Sequence, residues 1–176
     1  TRHRARPRMK TIRPEARGDV PAIREAVRAA FPTDAEMRLV DALREKGDIA
    51  ASLVCEADGF IVGHAVLSRM NVFADGRPVA AAALGPVSVL PECQSEGIGT
   101  RLIRDLIEQA RGIGFQMIFV LGDPAYYGRF GFDAPAAKPY RSAYSGENFM
   151  ALELDAPPRP FEGSAEYAAP FGEMEG

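Results

Sequence analysis

The residues best suited to chemistry lie in the loop from Gln94 to Thr100, which precedes an apolar pattern of helical period. The first turn of a helix presents backbone N–H groups without partners in the helix, and the helix dipole adds partial positive charge there. Gly97 and Gly99 lack the Cβ atoms that would keep phosphate oxygens from that backbone. The loop therefore predicts a site for a ligand that carries a diphosphate.

Glycine spacing alone does not identify the ligand, because glycines near a helix start also serve tight turns and close packing. Arg101 and Arg104 add positive charge in the following turns, which favours phosphate. The sequence contains no Gly-Lys-Ser or Gly-Lys-Thr of a nucleotide P-loop, and it lacks the GxGxxG pattern of a dinucleotide site. The loop thus belongs to another group of phosphate-binding loops.

A second segment with useful side chains, residues 126–132, follows about 30 residues after the loop. Tyr126 and Tyr127 are adjacent, and successive residues of a short helix point in different directions, so we expect only one of them to face a shared ligand. A phenol can donate a proton to a departing thiolate, whose conjugate acid titrates near about 8.5. Packing of an aromatic ring is the alternative role for either tyrosine.

Together the two segments resemble the GNAT superfamily of N-acetyltransferases. The family hallmark Q/RxxGxG/A is present as Gln94, Gly97 and Gly99, behind Leu90-Pro91 at the end of a strand pattern. The stretch from Leu121 to Phe132 is similar to the Tyr-x-x-x-Gly-Phe segment of the family, in which Tyr127 aligns with the usual catalytic tyrosine. The order of elements over residues 9–154 matches as well, and the resemblance points to little-characterised bacterial N-acetyltransferases.

The resemblance implies acetyl-CoA as a cosubstrate, direct attack by an amine within a ternary complex, and Tyr127 as the general acid. It also implies that backbone N–H groups near Val89 polarise the thioester carbonyl, because a bulge in this strand of family members opens a cleft. The cofactor site that follows from the resemblance consists of Val87, Val89, Gln94, Ser95, Glu96, Gly97, Ile98, Gly99, Thr100 and Tyr127.

The general base is less well defined. Glu92 near the end of the strand, Glu36 on the second helix and Asp123 before the tyrosines are weak candidates, and a solvated or structural role is favoured for each of these carboxylates. Because an amine with a pKa near about 10 is mostly protonated at neutral pH, either a carboxylate or simple desolvation must release its proton. Asp123-Pro124 stands where the family often has an asparagine that contacts the cofactor, so that contact is not predicted.

The elements that must position these residues begin with a short strand at 9–13 and two helices. Asp19 is predicted to cap a helix over 20–31, and Thr33 with Glu36 has the spacing of a capping box for a second helix that ends before Gly47. Three antiparallel strands follow at 52–56, 60–73 and 79–89, joined by Asp-Gly turns at 58–59 and 75–76.

The helix over 97–112 has the clearest period, and Met117 to Leu121 is a short apolar run typical of a strand buried on both faces. Strand, helix and strand in this order predict a parallel crossover, and another strand is expected at 149–154. The predicted fold class is α/β (α+β), a GNAT-like mixed and mostly antiparallel sheet with a central parallel crossover, flanked by helices.

The predicted domain covers residues 9–154. We expect residues 1–8 to be a disordered N-terminal extension, because the basic stretch there precedes a Met9 that reads as a natural start. Residues 155–176 hold four prolines and few aliphatic side chains, which predicts an extended or partly disordered tail. Phe161, Tyr167 and Phe171 are the residues that could dock it locally.

Composition excludes several classes of function. A formal charge of −3 offers no overall attraction to nucleic acid, and no apolar run approaches the roughly 20 residues of a membrane span. The two cysteines and two histidines, Cys55, Cys93, His3 and His64, lack the spacing of a metal site. We therefore expect a cytoplasmic protein without a metal.

The predicted function is transfer of an acetyl group from acetyl-CoA to a primary amine of a small molecule or peptide. Folds host unrelated functions, so two alternatives stay open: a non-catalytic acyl-CoA sensor and a protein-interaction domain. The acceptor side should involve the first two helices and residues 135–147, whose charges are mixed. A homodimer is expected slightly ahead of a monomer.

Overall fold

In the computed structural model of the chain, residues 9–175 are described, and the expectation for residues 1–8 lies outside them. The helices are α1 (Val20–Ala30), α2 (Ala35–Glu45), α3 (Ile98–Ile113), α4 (Pro124–Tyr127) and α5 (Ala134–Ala137). The strands are β1 (Lys10–Pro14), β2 (Ile49–Ala57), β3 (Phe60–Arg69), β4 (Asn71–Ala74), β5 (Arg77–Val79), β6 (Ala81–Val89), β7 (Met117–Leu121), β8 (Tyr140–Arg141), β9 (Phe149–Glu153) and β10 (Gly163–Glu166).

The larger sheet has six strands in the order β1-β2-β3-β6-β7-β9. All neighbours in it are antiparallel except β6 and β7, which are parallel and joined by α3. A parallel pair needs such a crossover, because a short turn cannot return the chain to the same end of the sheet. The mixed, mostly antiparallel sheet with one parallel pair confirms the predicted fold class.

Each face of this sheet is covered by a different layer. The predicted stripe of α3, which includes Ile98, Leu102 and Leu106, is buried against one face. On the other face, Ile23 and Val27 of α1 pack with Val54 of β2. Burial on both faces explains why the central strands are almost continuously apolar rather than alternating.

A second sheet, in the order β5-β4-β10-β8, covers the remaining part of that other face. The predicted strand over 60–73 is divided because the chain changes sheets at Met70, whose N–H bonds to the carbonyl of Ala81. The predicted strand over 79–89 is divided at Ala80, whose backbone N–H and carbonyl are both bound by Gln116. The hairpin prediction was therefore right about turns but wrong about strand continuity.

The segment predicted as an extended tail instead forms part of this second sheet. Strand β10 pairs antiparallel with β4 and parallel with β8, and a 3-10 helix follows at Ala169–Glu175. Tyr167 and Phe171 dock as expected, with ring centroids 5.0 Å apart, whereas Phe161 is 99% exposed and does not. Backbone pairing, rather than apolar content, gives this segment its order.

The start of α2 also differs from the prediction. The helix begins at Ala35, whose N–H donates to Thr33 Oγ1 at 3.3 Å, so Thr33 and Glu36 do not form a capping box. The side chain of Glu36 in the first turn is therefore not used by the backbone at the helix start. This difference matters because Glu36 faces a cleft that is described below.

Candidate active site

The site begins where β6 and β7 separate. The two strands pair only from Ala81 to Ala83, against Met117 to Phe119. Against β3, the register passes from Leu67–Leu84 to Ala65–Val87, so β6 contains one extra residue at this point. Gly85 lies in this bulge with a φ of 123°, a conformation that favours glycine. The bulge turns the second half of β6 away from β7 and opens a cleft between them.

The second half of β6 presents a backbone edge to this cleft. Leu90 N–H bonds to the carbonyl of Val62 on the β3 side, and successive residues of a strand direct their backbone groups to opposite sides. The backbone groups of Val89 therefore face away from β3, and its carbonyl accepts from Gln94 Nε2 at 3.2 Å. Gln94 thus holds the loop against the strand.

The predicted loop passes from this strand into α3. Gly97 is the N-cap of α3 with a φ of 79°, and Ser95 also has a positive φ, of 66°. A Cβ at Gly99 would lie 3.3 Å from Tyr126 Oη. The first glycine is thus required by conformation and the second by close packing, and both leave the N–H groups of the first turn uncovered.

The loop cleft, as we call the first cavity, has a volume of about 540 Å³. Every residue of the predicted cofactor site lines it except Glu96, whose carboxylate pairs with Lys10 Nζ at 2.9 Å. The residues that line it are Ala30, Phe31, Val87, Val89, Cys93, Gln94, Ser95, Gly97, Ile98, Gly99, Thr100, Tyr126, Tyr127 and Arg129.

Arg129 is the charged lining residue that sequence reasoning missed. Its guanidinium lies 4.6 Å from the ring centroid of Tyr126, close enough for a cation–π contact. Arg101 and Arg104 were expected to supply positive charge, but neither lines the cleft, and Arg104 lies 5.9 Å from the ring of Phe130 instead. The sequence signal that could have identified Arg129 was its place, as a basic residue, inside the Tyr-x-x-x-Gly-Phe segment.

The aromatic cleft is a second cavity of about 480 Å³ on the other side of Tyr127. Phe31, Val87 and Tyr127 line both cavities, so these three residues form the boundary between them. The residues that line the aromatic cleft are Phe31, Glu36, Leu39, Leu84, Gly85, Pro86, Val87, Leu121, Tyr127, Tyr144, Tyr167, Phe171 and Met174.

Tyr127 is held at this boundary by close packing. A Cβ at Gly122 would lie 2.5 Å from Tyr127 Cε2, and the rings of Tyr126 and Phe132 meet Tyr127 edge-on at 5.0 and 6.0 Å. Burial, and then the neighbouring Tyr126, raise the pKa of the Tyr127 phenol. The phenol is therefore protonated at neutral pH and able to act as a proton donor.

The three carboxylates considered from sequence lie in different settings. Glu36 lines the aromatic cleft, and its Oε2 is buried without a hydrogen-bond partner. Glu92 is exposed on the 3-10 turn Pro91–Cys93 and lines neither cleft. Asp123 is exposed and accepts from the N–H of Ala125 at the start of α4. Glu36 is the one carboxylate among the described residues that line the two clefts.

His64 belongs to a buried network outside both clefts. Its Nε2 lies 2.8 Å from Ser52 Oγ, which in turn bonds to Glu15, and Glu15 pairs with Arg44 of α2 at 3.0 Å. Burial acts to raise the pKa of Glu15, but His64, Ser52 and Arg44 together lower it. The network ties α2 to the sheet, which gives His64 a structural role.

Two further findings concern residues 9–175. Within this range no three or more His, Cys, Asp or Glu side chains come together in a way that could hold a metal ion. None of the helices there is both long and apolar enough to cross a membrane.

Comparison with known proteins places this geometry in context. A family model described as "Acetyltransferase (GNAT) domain" matches residues 11–134. The Escherichia coli protein named uncharacterized N-acetyltransferase YhbS is 32% identical over 77% of this chain and 80% of its own length. The E. coli protein YjhQ, also named an uncharacterized N-acetyltransferase, is 37% identical over 73% of this chain and 72% of its own length.

Solved structures give the same result. A GNAT family acetyltransferase from Brucella melitensis, crystallised in complex with acetyl-CoA, is 38% identical and covers 93% of this chain with a TM-score of 0.76. That alignment includes 98% of the Brucella chain. The crystal structure of E. coli YhbS in complex with CoA covers 97% of this chain and 96% of its own, at 28% identity and a TM-score of 0.85.

Proposed function

The chain belongs to the GNAT family of acetyltransferases, and we propose that its loop cleft and aromatic cleft are the two substrate sites of an N-acetyltransferase that uses acetyl-CoA. The observation that carries the proposal is the position of Tyr127, which lies at the boundary between the two clefts. A group transferred between a donor in one cleft and an acceptor in the other must pass this residue. We propose a primary amine as the acceptor; the relatives that are named N-acetyltransferases support a nitrogen acceptor.

The residues of the loop cleft fit a CoA thioester. The uncovered N–H groups at the start of α3 suit the pyrophosphate, and Arg129 adds the positive charge that phosphates require. The backbone edge of β6 near Val89, which faces away from β3 and has no partner strand there among the described residues, can pair with the amide groups of the pantetheine arm, as an adjacent strand would. Acetyl-CoA supplies an activated acetyl group on a thiol that leaves readily.

The proton balance of the transfer gives Tyr127 its role. The amine nitrogen forms a bond to the acetyl carbonyl carbon, and the carbon–sulfur bond breaks. In going from ammonium to amide the nitrogen loses two protons, of which one ends on the thiol and the other in solvent. We propose that Tyr127 donates the proton to the sulfur, because its phenol is protonated at neutral pH and lies between the clefts. One of the two protons that leave the nitrogen then restores the phenol, so that the enzyme ends in its starting state.

We propose Glu36, rather than Glu92, as the carboxylate that receives a proton from the amine. Glu36 lines the aromatic cleft with Tyr127, whereas Glu92 is exposed and lines neither cleft. Desolvation of the ammonium would also release its proton, without any base. The role of Glu36 must therefore be tested by measuring acetylation of the acceptor amine.

The sensor and interaction-domain alternatives make different predictions about binding and turnover. An acyl-CoA sensor would bind acetyl-CoA without acetylating any amine, and an interaction domain would bind no CoA species. The two clefts that meet at Tyr127 favour the enzyme, because a sensor has no need for a second cavity beside the thioester.

The first experiment is isothermal titration of the full chain with acetyl-CoA. The Gly97→Glu, Gly99→Glu variant places side chains and negative charge at the start of α3, so we expect micromolar binding by the parent and none by the variant. Gly112→Glu is the matched control, because a Cβ at Gly112 meets nothing within 4 Å, and it should bind like the parent. Absence of binding by the parent, or unchanged binding by the double variant, would contradict the proposed donor site.

A further inference from the structure

The aromatic cleft has a wall of aromatic side chains that pack on one another. Tyr144 and Tyr167 meet edge-on with centroids 5.0 Å apart, and Phe171 meets Tyr167 in the same way at 5.0 Å. These three rings pack against a group of buried side chains that includes Phe149 of β9 and Ala165 of β10. Because the rings support one another, the wall presents a shaped aromatic surface to a ligand instead of a flexible one.

One buried carboxylate oxygen belongs to a residue that lines the same cleft, Glu36. Glu36 is half-buried, but its Oε2 is buried and has no hydrogen-bond partner, which is unfavourable for a carboxylate oxygen. Glu36 lies in the first turn of α2, where the helix dipole stabilises negative charge. A ligand ammonium would supply the missing partner, and the rings of Phe31 and Tyr127 in the same cleft can add cation–π attraction.

The charge of the lining limits which amines fit. No lysine, arginine or histidine is among the described residues that line the aromatic cleft, so a ligand carboxylate would be buried there without a cation. Glu36 is also the single carboxylate among the described residues of that lining, so a second ligand ammonium would find no carboxylate partner there. The cleft therefore suits a ligand with one positive charge and no negative charge.

We propose that the acceptor is a small arylalkyl monoamine without a carboxylate, its ammonium bound by Glu36 and its ring packed against the wall of Tyr144, Tyr167 and Phe171. This assignment rests on the proposed function, because it takes the aromatic cleft as the acceptor site. A volume of about 480 Å³ is enough for a molecule of this size.

The test is a steady-state assay of CoA release by the full chain with acetyl-CoA and a panel of amines. Phenethylamine and L-phenylalanine form the decisive pair, because they share a ring and differ by one carboxylate. Spermidine tests the second ammonium, and a short peptide with N-terminal phenylalanine tests a peptide acceptor. We expect kcat/KM for phenethylamine to exceed that of each other amine at least tenfold.

The matching variant is Glu36→Gln, which keeps the shape of the side chain and removes its charge. We expect kcat/KM for phenethylamine to fall about 10- to 100-fold, with a higher KM and an unchanged Kd for acetyl-CoA. Glu45→Gln is the control, because Glu45 is an exposed carboxylate in the last turn of the same helix. It should leave both constants unchanged.

The outcomes separate this inference from the proposed function. If the chain binds no acetyl-CoA, the proposed function fails. If acetyl-CoA binds but phenethylamine is not preferred over L-phenylalanine, spermidine and the peptide, or Glu36→Gln leaves kcat/KM unchanged, the acceptor assignment alone is overturned. Acetylation of none of these amines by a chain that binds acetyl-CoA also overturns it.

Discussion

Gly122 shows how a single residue without a side chain can control the candidate active site. It follows β7 and precedes α4, and the ring of Tyr127 occupies the space that a Cβ at this position would need, 2.5 Å from Cε2. Such a contact cannot be relieved without moving the ring. The phenol that we propose as proton donor is therefore positioned from behind by a glycine that itself touches no substrate.

We predict that Gly122→Ala lowers kcat at least tenfold, because it displaces Tyr127 from the boundary of the two clefts. The Kd for acetyl-CoA should change little, since the start of α3 is not disturbed. Gly112→Ala, at a position open to solvent, is the control and should keep full activity. A Gly122→Ala variant with the activity of the parent would show that the position of Tyr127 is not critical. A Tyr127→Phe variant that loses less than about tenfold in kcat would show that its hydroxyl is not the proton donor.

At the scale of elements, an ion pair joins β1 to the turn that starts α1, one of the helices beside the clefts. Arg13 donates to Asp19 twice, from Nη1 at 2.7 Å and from Nη2 at 3.0 Å, and Asp19 also accepts from the N–H of Ala16. The hydrogen bonds from Arg13, and then that from Ala16, lower the pKa of Asp19 to about 2. The sequence predicted that the side chain of Asp19 caps α1. Instead, this side chain binds Arg13 and the N–H of Ala16, and it makes no capping hydrogen bond to α1.

The pH dependence of stability follows from this lowered pKa. Because the folded state favours ionised Asp19, its contribution is present above the unfolded pKa of about 3.9 and is lost as the pH falls towards about 2. We predict that Asp19→Asn lowers the free energy of unfolding by about 1 kcal/mol at pH 7, a value reduced for solvent screening. Urea unfolding at pH 7 and pH 3 should show this difference shrinking at the lower pH.

Asp34→Asn is the matched control for this measurement. Asp34 pairs with Arg38 at 3.0 Å, but the two side chains are 52% and 70% exposed, so the variant should unfold like the parent. An effect of Asp19→Asn that stays constant from pH 7 to pH 3 would argue against the ionic explanation.

At the scale of the whole molecule, the two clefts depend on different parts of the chain. The residues that line the loop cleft end at Arg129, whereas the wall of the aromatic cleft comes from residues 144–174. The second sheet holds that wall, because β10 lies between β4 and β8 and leads directly to Tyr167. Damage to the second sheet should therefore separate amine binding from acetyl-CoA binding.

Gly163→Ala tests this separation. A Cβ at Gly163 would lie 2.6 Å from the backbone oxygen of Pro139, so β10 must shift to accept it. We predict a fall in Tm of several degrees and an increase of several-fold in KM for the amine, with the Kd for acetyl-CoA unchanged. Gly172→Ala, where a Cβ meets nothing within 4 Å, is the control. Equal losses of both ligands would show that the clefts are not independent.

Much of the loop cleft, the proposed acetyl-CoA site, could be predicted from the sequence because its structure depends on residues that are close together along the chain. The glycines of the loop, the apolar stripe of α3 and the run of β7 act within a few residues, so their pattern indicates their structure directly. The predicted sheet with its parallel crossover follows from the same local patterns joined by rules of connection. The resemblance to a family then assigned the loop and Tyr127 to one ligand, which local patterns alone do not do.

The acceptor side was decided only by the tertiary structure, because it joins residues that are far apart in sequence. Because α2 begins at Ala35, the side chain of Glu36 is not used as a helix cap and lines the aromatic cleft. Its neighbours in that cleft come from β6, β7 and the last residues of the chain. Those last residues are ordered by the second sheet, which forms because the chain changes sheets at Met70 and Ala80. No local apolar pattern in the sequence predicts that change. The sequence by itself determined the loop, the crossover and the family, whereas long-range backbone pairing and packing decided which carboxylate, which arginine and which aromatic rings surround the candidate active site.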